Sequence, residues 1–555
     1  MDRRTFLKIA LTAASAPVHA AQPRPPRAIR RRVAYNGIEL PDTWPPRRDP
    51  LSIDRVVVPP YLEHPPAVIP IDVGRQLFVD DFLVEECSLV RTPHTATYIP
   101  NNPILTPTTA WERYDDYADR TKTPPRPTAM PFSDAVLFDP ADGRFKMWYQ
   151  AGVGGTTAYA VSDDGIEWQR PTLDIVPDTN IVINLPRDSS TIWLDYAESD
   201  PSRRYKCAMF AGRERRIRRF VSADGLHWHD VGLAGPTGDR TTVFYNPFRR
   251  VWVFSIRDEG IRRPDGGKIA GRYRRYWETG RFDIEKTWTT IDRAPLWVGA
   301  DSLDFRRPEF NVIPELYNLD CVAYESVLLG MFSMFRGEGR ERYKPNDVCV
   351  GFSRDGFHWM RPSRKPFINV SERRGDWNWT NVQSAGGCCL VMGDRLFFYV
   401  SGRSGIPGQE YAGTAATGLA TLRRDGFMSL DDAGESSAAR SVTTRPVRFS
   451  GSYLFVNANV AGGELRAELI DAGGKVIPPF AAENCVPVRN NGTRLRVRWT
   501  GRASLKELAG QTVRFRFLVR KGRLYAFWVS PSARGASNGY VAAGGPDFNG
   551  PIDRA

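Results

Sequence analysis

Three heptapeptides constrain this chain more than any other feature: Ser162-Asp163-Asp164-Gly165-Ile166-Glu167-Trp168, Ser222-Ala223-Asp224-Gly225-Leu226-His227-Trp228 and Ser353-Arg354-Asp355-Gly356-Phe357-His358-Trp359. A turn-plus-aromatic phrase that returns implies a supersecondary unit that returns. The Asp-Gly pairs lie 60 and then 131 residues apart, and a degenerate copy, Asp425-Gly426-Phe427, follows 70 residues later. The long interval is two periods, and Phe282 to Trp288 keeps the acidic residue and the tryptophan of a decayed copy. Five units result.

Each unit carries a second hairpin upstream, as in Ala135 to Phe138, the turn Asp139-Pro140-Ala141-Asp142-Gly143, and Phe145 to Tyr149. Short aromatic and β-branched runs broken by Asp, Pro and Gly read as hairpins. Two hairpins make a four-stranded blade, and five blades predict an all-β, five-bladed β-propeller over 70–435. Leu77 to Glu86 offers an apolar strand ahead of the first full unit, suited to closing the ring.

Beyond Leu430 the repeat stops. Leu495, Val497 and Trp499 alternate with arginines, as do Val513, Phe515 and Phe517, which predicts a C-terminal β-sandwich over 442–535. Residues 536–555 read as a flexible tail, and the Pro/Arg-rich stretch 22–69 as a linker or wrapping arm. Residues 1–21 carry Arg3-Arg4, a short apolar core and Val18-His19-Ala20, the pattern of a twin-arginine export signal. The expected location is periplasmic or extracellular, with no stable membrane insertion after cleavage.

Seven cysteines without metal-ligand spacing and only six histidines make a zinc site an unsuitable reading. No cofactor is expected; calcium is chemically admissible on a propeller axis, but no ligand motif points to it. A net charge of +13 favours acidic ligands, whereas the lack of a recognition motif and the exported location exclude nucleic acid. Oligomeric state is not encoded in any feature of the sequence.

In a propeller, inner strands start at the channel mouth and second strands return to it, so the Ser-x-Asp-Gly turns fall on the far face in a structural role. The inner-strand starts carry Asp134, Asp188, Asp239 with Arg240, Glu315 and Gln383. Converging carboxylates suit glycosidic hydrolysis, which needs one acid and one base or nucleophile. Asp134 is expected as base or nucleophile, Asp239 as second carboxylate and Glu315 as general acid. Second strands end in Arg213, Arg257, Arg336 and Arg403, a ring suited to an anionic sugar or to holding the carboxylates ionised. Arg240, Gln383 and Trp377 complete the expected substrate-binding set.

The phrases Leu77-Phe78-Val79-Asp80-Asp81, Phe145-Lys146-Met147-Trp148-Tyr149, Arg424 to Leu430, and Val513 to Phe517 with Leu524 to Phe527 span residues 75 to 530. With them the chain resembles glycoside hydrolases of families 32 and 43 and, more closely, an uncharacterised exported bacterial group labelled family-32-like. The resemblance implies a glycoside hydrolase acting on a poly- or oligosaccharide, with an acidic one favoured by the arginines. The family 32 signatures Trp-Met-Asn-Asp-Pro-Asn, Arg-Asp-Pro and Glu-Cys do not occur in order. Of the family 43 arrangement of two aspartates and a glutamate over the first three blades, Asp134 matches the first, while the third-blade candidate is Asp239 and the glutamate falls in the fourth. A non-catalytic carbohydrate-binding or envelope-associated propeller, and a uronate lyase, are the rival readings.

Overall fold

The computed structural model describes residues 32–554, apart from 284–286, 408, 410–412 and 433–438. The expected export signal at 1–21 and the start of the arm lie outside the described residues, as does the middle of the decayed third turn. Among the described residues α-helix is confined to Pro60–Glu63 and Asp116–Thr121, and no helix is long and apolar enough to cross a membrane.

Five antiparallel units follow one another. The first is built from Val136–Asp139, Arg144–Ala151, Thr156–Ser162 and Ile181–Ile183, and the second from Ser190–Leu194, Tyr205–Ala211, Arg216–Ser222 and His229–Pro236. The third comprises Thr242–Asn246, Val251–Arg262, Lys268–Thr279 and Leu296–Val298, and the fourth Glu315–Glu325, Val327–Phe335 and Asn346–Ser353. In the fifth, Asn381–Ser384, Arg395–Arg403 and Ala415–Arg423 are completed by Thr97–Tyr98 from upstream of the first unit. A short parallel contact, Asn346 to Asn381, merges the last two units into one continuous sheet.

Neighbouring units share apolar cores, and the sharing closes on itself. Leu137 and Trp148 pack with Ile192 and Tyr205; Phe210 and Ile217 with Val243 and Phe254; Phe244 and Val253 with Leu319 and Phe332. Val322 and Leu329 join Val382 and Leu396, and Leu390 and Leu419 return to Phe138 and Met147.

The repeated turns latch this circuit. Asp164, Asp224 and Asp355 each accept two downstream amide hydrogens on one carboxylate oxygen. Each turn also takes a hydrogen bond from the unit before it: Tyr399 donates to the Gly165 carbonyl (2.6 Å), Trp148 to Gly225 (2.7 Å) and Trp297 to Phe357 (2.7 Å). In the degenerate fifth copy Tyr324 donates to Asp425 instead. Gly225 has φ +79°, and a Cβ there would stand 2.5 Å from the Trp148 ring. Gly225→Ala is therefore expected to lose about 2–4 kcal/mol, a left-handed backbone cost plus overpacking. Gly143→Ala, at φ +70° but in open space, is expected to lose only the backbone part; urea denaturation of both variants checks the difference.

A second pair of sheets shares its own core, which includes Val456, Leu465, Phe515, Phe517 and Phe527. One sheet contains Met428–Asp432, Tyr453–Asn459, Asn491–Arg496 and Gly522–Ser530; the other contains Arg440–Thr444, Glu464–Ile470 and Arg514–Arg520. The segment expected to close the ring belongs here: Gln76–Leu77 pairs with Ala526–Phe527, and Val84–Cys87 pairs with the strand at 440–444. Its alternation explains why, since Phe78, Phe82 and Leu83 enter the two-sheet core while Leu77 and Val79 enter that of units four and five.

Of the two alternatives for the N-terminal stretch, the described part takes the wrapping arm, while the flexible tail is corrected. The arm from residue 32 onward lies across units three and four: Tyr35 stacks on Phe248 at 4.2 Å, Trp44 donates to Glu278 and Arg48 to the Trp297 carbonyl. The supposed flexible tail is docked. Tyr540–Val541 pairs with the end of the fourth unit's inner strand, and Ala543 and Gly544 bridge by backbone hydrogen bonds to Phe138, Cys389 and Val391. Gly and Ala make that close approach between strands possible.

Candidate active site

The inner strands begin around a polar hub. Phe132 and Ser133, both at positive φ, fold the backbone inward so that Ser133 meets Arg240, Asn318 and Asp320. Strain of this kind persists where surroundings over-determine it, and it is concentrated at functional sites.

Asp134 is fully buried and held on both oxygens by Arg187 and Ser190. Burial pushes its carboxyl up to about 6, against the pull of Arg187. With both oxygens committed, it positions its neighbours and is not open to substrate, which corrects the expectation of a base or nucleophile.

Asp188 is different. Its Oδ1 is buried without a hydrogen-bond partner. Burial first, then the like charge of Asp239, pushes its carboxyl up to about 6, while Arg240, Arg403 and Arg187 pull it down. Asp239 is more open, with its side chain 45% exposed and Arg257 at 3.4 Å. Two carboxyl groups in electrostatic contact, one closed and one open, can divide proton donor and acceptor roles.

Glu315 is not poised as an acid. Lys268 and Arg272 bind both its oxygens, and these ion pairs overcome burial to hold its carboxyl below the usual range. Gly271 permits the approach, since a Cβ there would lie 2.1 Å from that carboxyl. Glu315→Gln is expected to keep any glycan cleavage within about tenfold of wild type, where loss of a general acid costs ~10²–10⁴. Because its folded pKa is depressed, its contribution to stability is present at neutral pH and lost as pH falls through the carboxylate range.

The arginine set divides. Arg240 is buried at φ +55°, donates to the Phe132 carbonyl (3.0 Å) and to Ser133, and lies 3.7 Å over the Phe132 ring. Arg257 pairs with Asp239 and Glu259. Arg403 stands over Phe132 at 5.5 Å and senses Asp188 and Tyr317. Arg213 is exposed at a turn, and Arg336 is locked into a buried ion pair with Asp347 (2.6 Å); neither reaches the hub. Trp377 lies flat on the fifth unit, where Cβ atoms at Gly402 or Gly418 would meet it at 2.0 Å, and it meets Tyr98 edge-on. That is packing, not sugar stacking. Gln383 is buried at the hub and donates to Asn381.

Three hub residues escaped the sequence reading. Asp320 accepts from Ser133, Asn318 and Ser384, and burial raises its pKa. The Tyr317 hydroxyl is pushed up to about 12 by burial and by Asp239. Arg274 donates to the Arg240 carbonyl and is pushed down to about 9 by burial and then by Arg257 and Arg240. A bulge between Leu316 and Asn318 breaks the alternation that would have exposed the first two.

No family model matches the sequence, and comparison with curated proteins finds no relative. Solved structures offer distant likenesses. A putative glycoside hydrolase from Bacteroides ovatus is 14% identical, covering 59% of this chain and 96% of its own, with a TM-score of 0.37. A fructofuranosidase from Schwanniomyces occidentalis in complex with fructosylnystose is 8% identical over 79% and 98% of the two chains, TM-score 0.31. A thermostable family-43 glycoside hydrolase is 11% identical over 53% and 90%, TM-score 0.35.

Proposed function

We propose that the protein is an exported glycoside hydrolase acting on a poly- or oligosaccharide, built as a five-bladed β-propeller carrying a β-sandwich. The closed circuit of five shared cores supports the propeller, and the two sheets around Phe515 and Phe517 support the sandwich. The observation that carries the activity is the Asp188–Asp239 pair: a carboxyl raised to about 6 beside a more open carboxylate. Asp188 donates its proton to the leaving glycosidic oxygen, and Asp239 acts on the opposite side as base or nucleophile. Arg257 pairs with Asp239, Arg240 acts on Asp188 through its charge, and Asp134 braces Arg187 beside them. Tyr317, raised to about 12, keeps its proton near neutrality, which disfavours the lyase reading in which a tyrosine serves as base.

The test is incubation of the mature protein with neutral and acidic glycans, with released sugars read by mass spectrometry. Release by wild type and none by Asp188→Asn or Asp239→Asn is the expected result. Full-rate release by both variants would overturn the site. Saturable glycan binding with no release from any glycan would favour the non-catalytic propeller.

A further inference from the structure

Beside Asp188 the hub encloses a cavity of about 50 Å³ lined by Phe132, Tyr317, Lys344, Asn381, Gln383 and Arg403. Two of its groups are uncommitted. Among the described residues the Arg403 guanidinium makes no ion pair and no side-chain hydrogen bond, while Arg240, Arg257 and Arg336 all have theirs. Arg403 is half-buried, and burial lowers its pKa against the pull of Tyr317 and Asp188. Gln383 is 2% exposed, its amide group donates to Asn381 (2.7 Å), and its Oε1 has no partner. A buried acceptor left unmet is costly, so such a group is a sign of something that completes it.

A guanidinium fork accepts a planar anion at two points, and an orphaned amide oxygen accepts a hydroxyl. The space suits a carboxylate with an adjacent hydroxyl, and it is too small for a sugar ring, which would stay in the open funnel against Asp188 and Asp239. We propose that Arg403 and Gln383 form a subsite for the carboxylate and neighbouring hydroxyl of a hexuronate, making the substrate a uronate-containing glycan. This rests on the hydrolase reading for the cleavage step, but not for binding.

The experiment is titration calorimetry of the full mature chain with methyl β-D-glucuronide, methyl β-D-glucoside and glucose 6-sulfate. Wild type is expected to bind the glucuronide at least about tenfold tighter than the glucoside, the scale of one charge-assisted contact. Arg403→Gln is expected to erase that preference. Gln383→Glu, which places a negative charge beside Arg403, is expected to abolish glucuronide binding and retain the glucoside, so the proposal stays testable should the first variant fail to fold. Equal affinity for glucuronide and glucoside, tighter binding of the sulfate ester, or an undiminished preference in a folded variant would each overturn the subsite. Glucuronide preference without cleavage of any glycan would reject the hydrolase reading alone; cleavage of neutral glycans without that preference would reject the subsite alone.

Discussion

Asp188→Asn is expected to slow glycan cleavage by roughly 10²–10⁴-fold, the contribution of a positioned general acid. The active form of that acid is the protonated one, so wild-type kcat/KM should fall as pH rises through about 6, the value to which burial and Asp239 lift this carboxyl. The alkaline limb should vanish in the asparagine variant, leaving a flat residual rate. The same shift has an opposite face in stability. A carboxyl whose folded pKa lies above its unfolded one binds more protons in the native state, so stability declines as pH rises from about 4 to about 6. Asp134, also raised to about 6, adds to this slope. A pH series of denaturation midpoints should therefore shift less with pH in Asp188→Asn than in wild type. If the activity profile of the variant retains the wild-type limb, another group donates the proton.

The second large effect lies far from the funnel. Arg75 is fully buried, donates to Asp425 (2.8 Å) and to the Thr493 carbonyl, lies 3.4 Å from Glu325, and sits 4.2 Å over the Trp528 ring. Arg424 completes the cluster on Glu325 at 3.0 Å. These residues come from the fourth unit, from the degenerate turn and from one sheet of the two-sheet core, so the network fixes how the two bodies meet. Arg75→Met is expected to cost about 3–5 kcal/mol, because the buried Asp425 loses its cation and Glu325 keeps only Arg424. Adding Asp425→Asn should restore part of it, by removing the stranded charge. Chemical denaturation of the single and double variants measures both. A loss below about 1 kcal/mol in the single variant would mean that water already reaches the cluster.

What the chain reveals in its sequence is what is local. The Asp164, Asp224 and Asp355 turns, the paired hairpins and the alternation around Phe515 are short-range patterns, and the structure keeps them. Asp239, Arg240, Arg257, Gln383 and Arg403 were legible because they sit at fixed points of the repeat. Glu315 was legible as a position and misleading as a role, since Lys268 and Arg272 reach it from the preceding unit. Arg336 failed for a nearer reason: Asp347, on the adjacent strand, was not counted as its partner. Phe78 and Phe82 look the same as propeller-core residues until the second core is in place to receive them. Long-range pairing decides each of these cases, and periodicity does not encode it.

The docking of Ala543 and Gly544 between inner strands of the first, fourth and fifth units bears on how the molecule is made. Those residues emerge from the ribosome after every strand they join. The units can condense one by one during synthesis, but they are tied to one another here only when this late segment arrives. Until then the nascent chain exposes the edges of the strands that this segment joins.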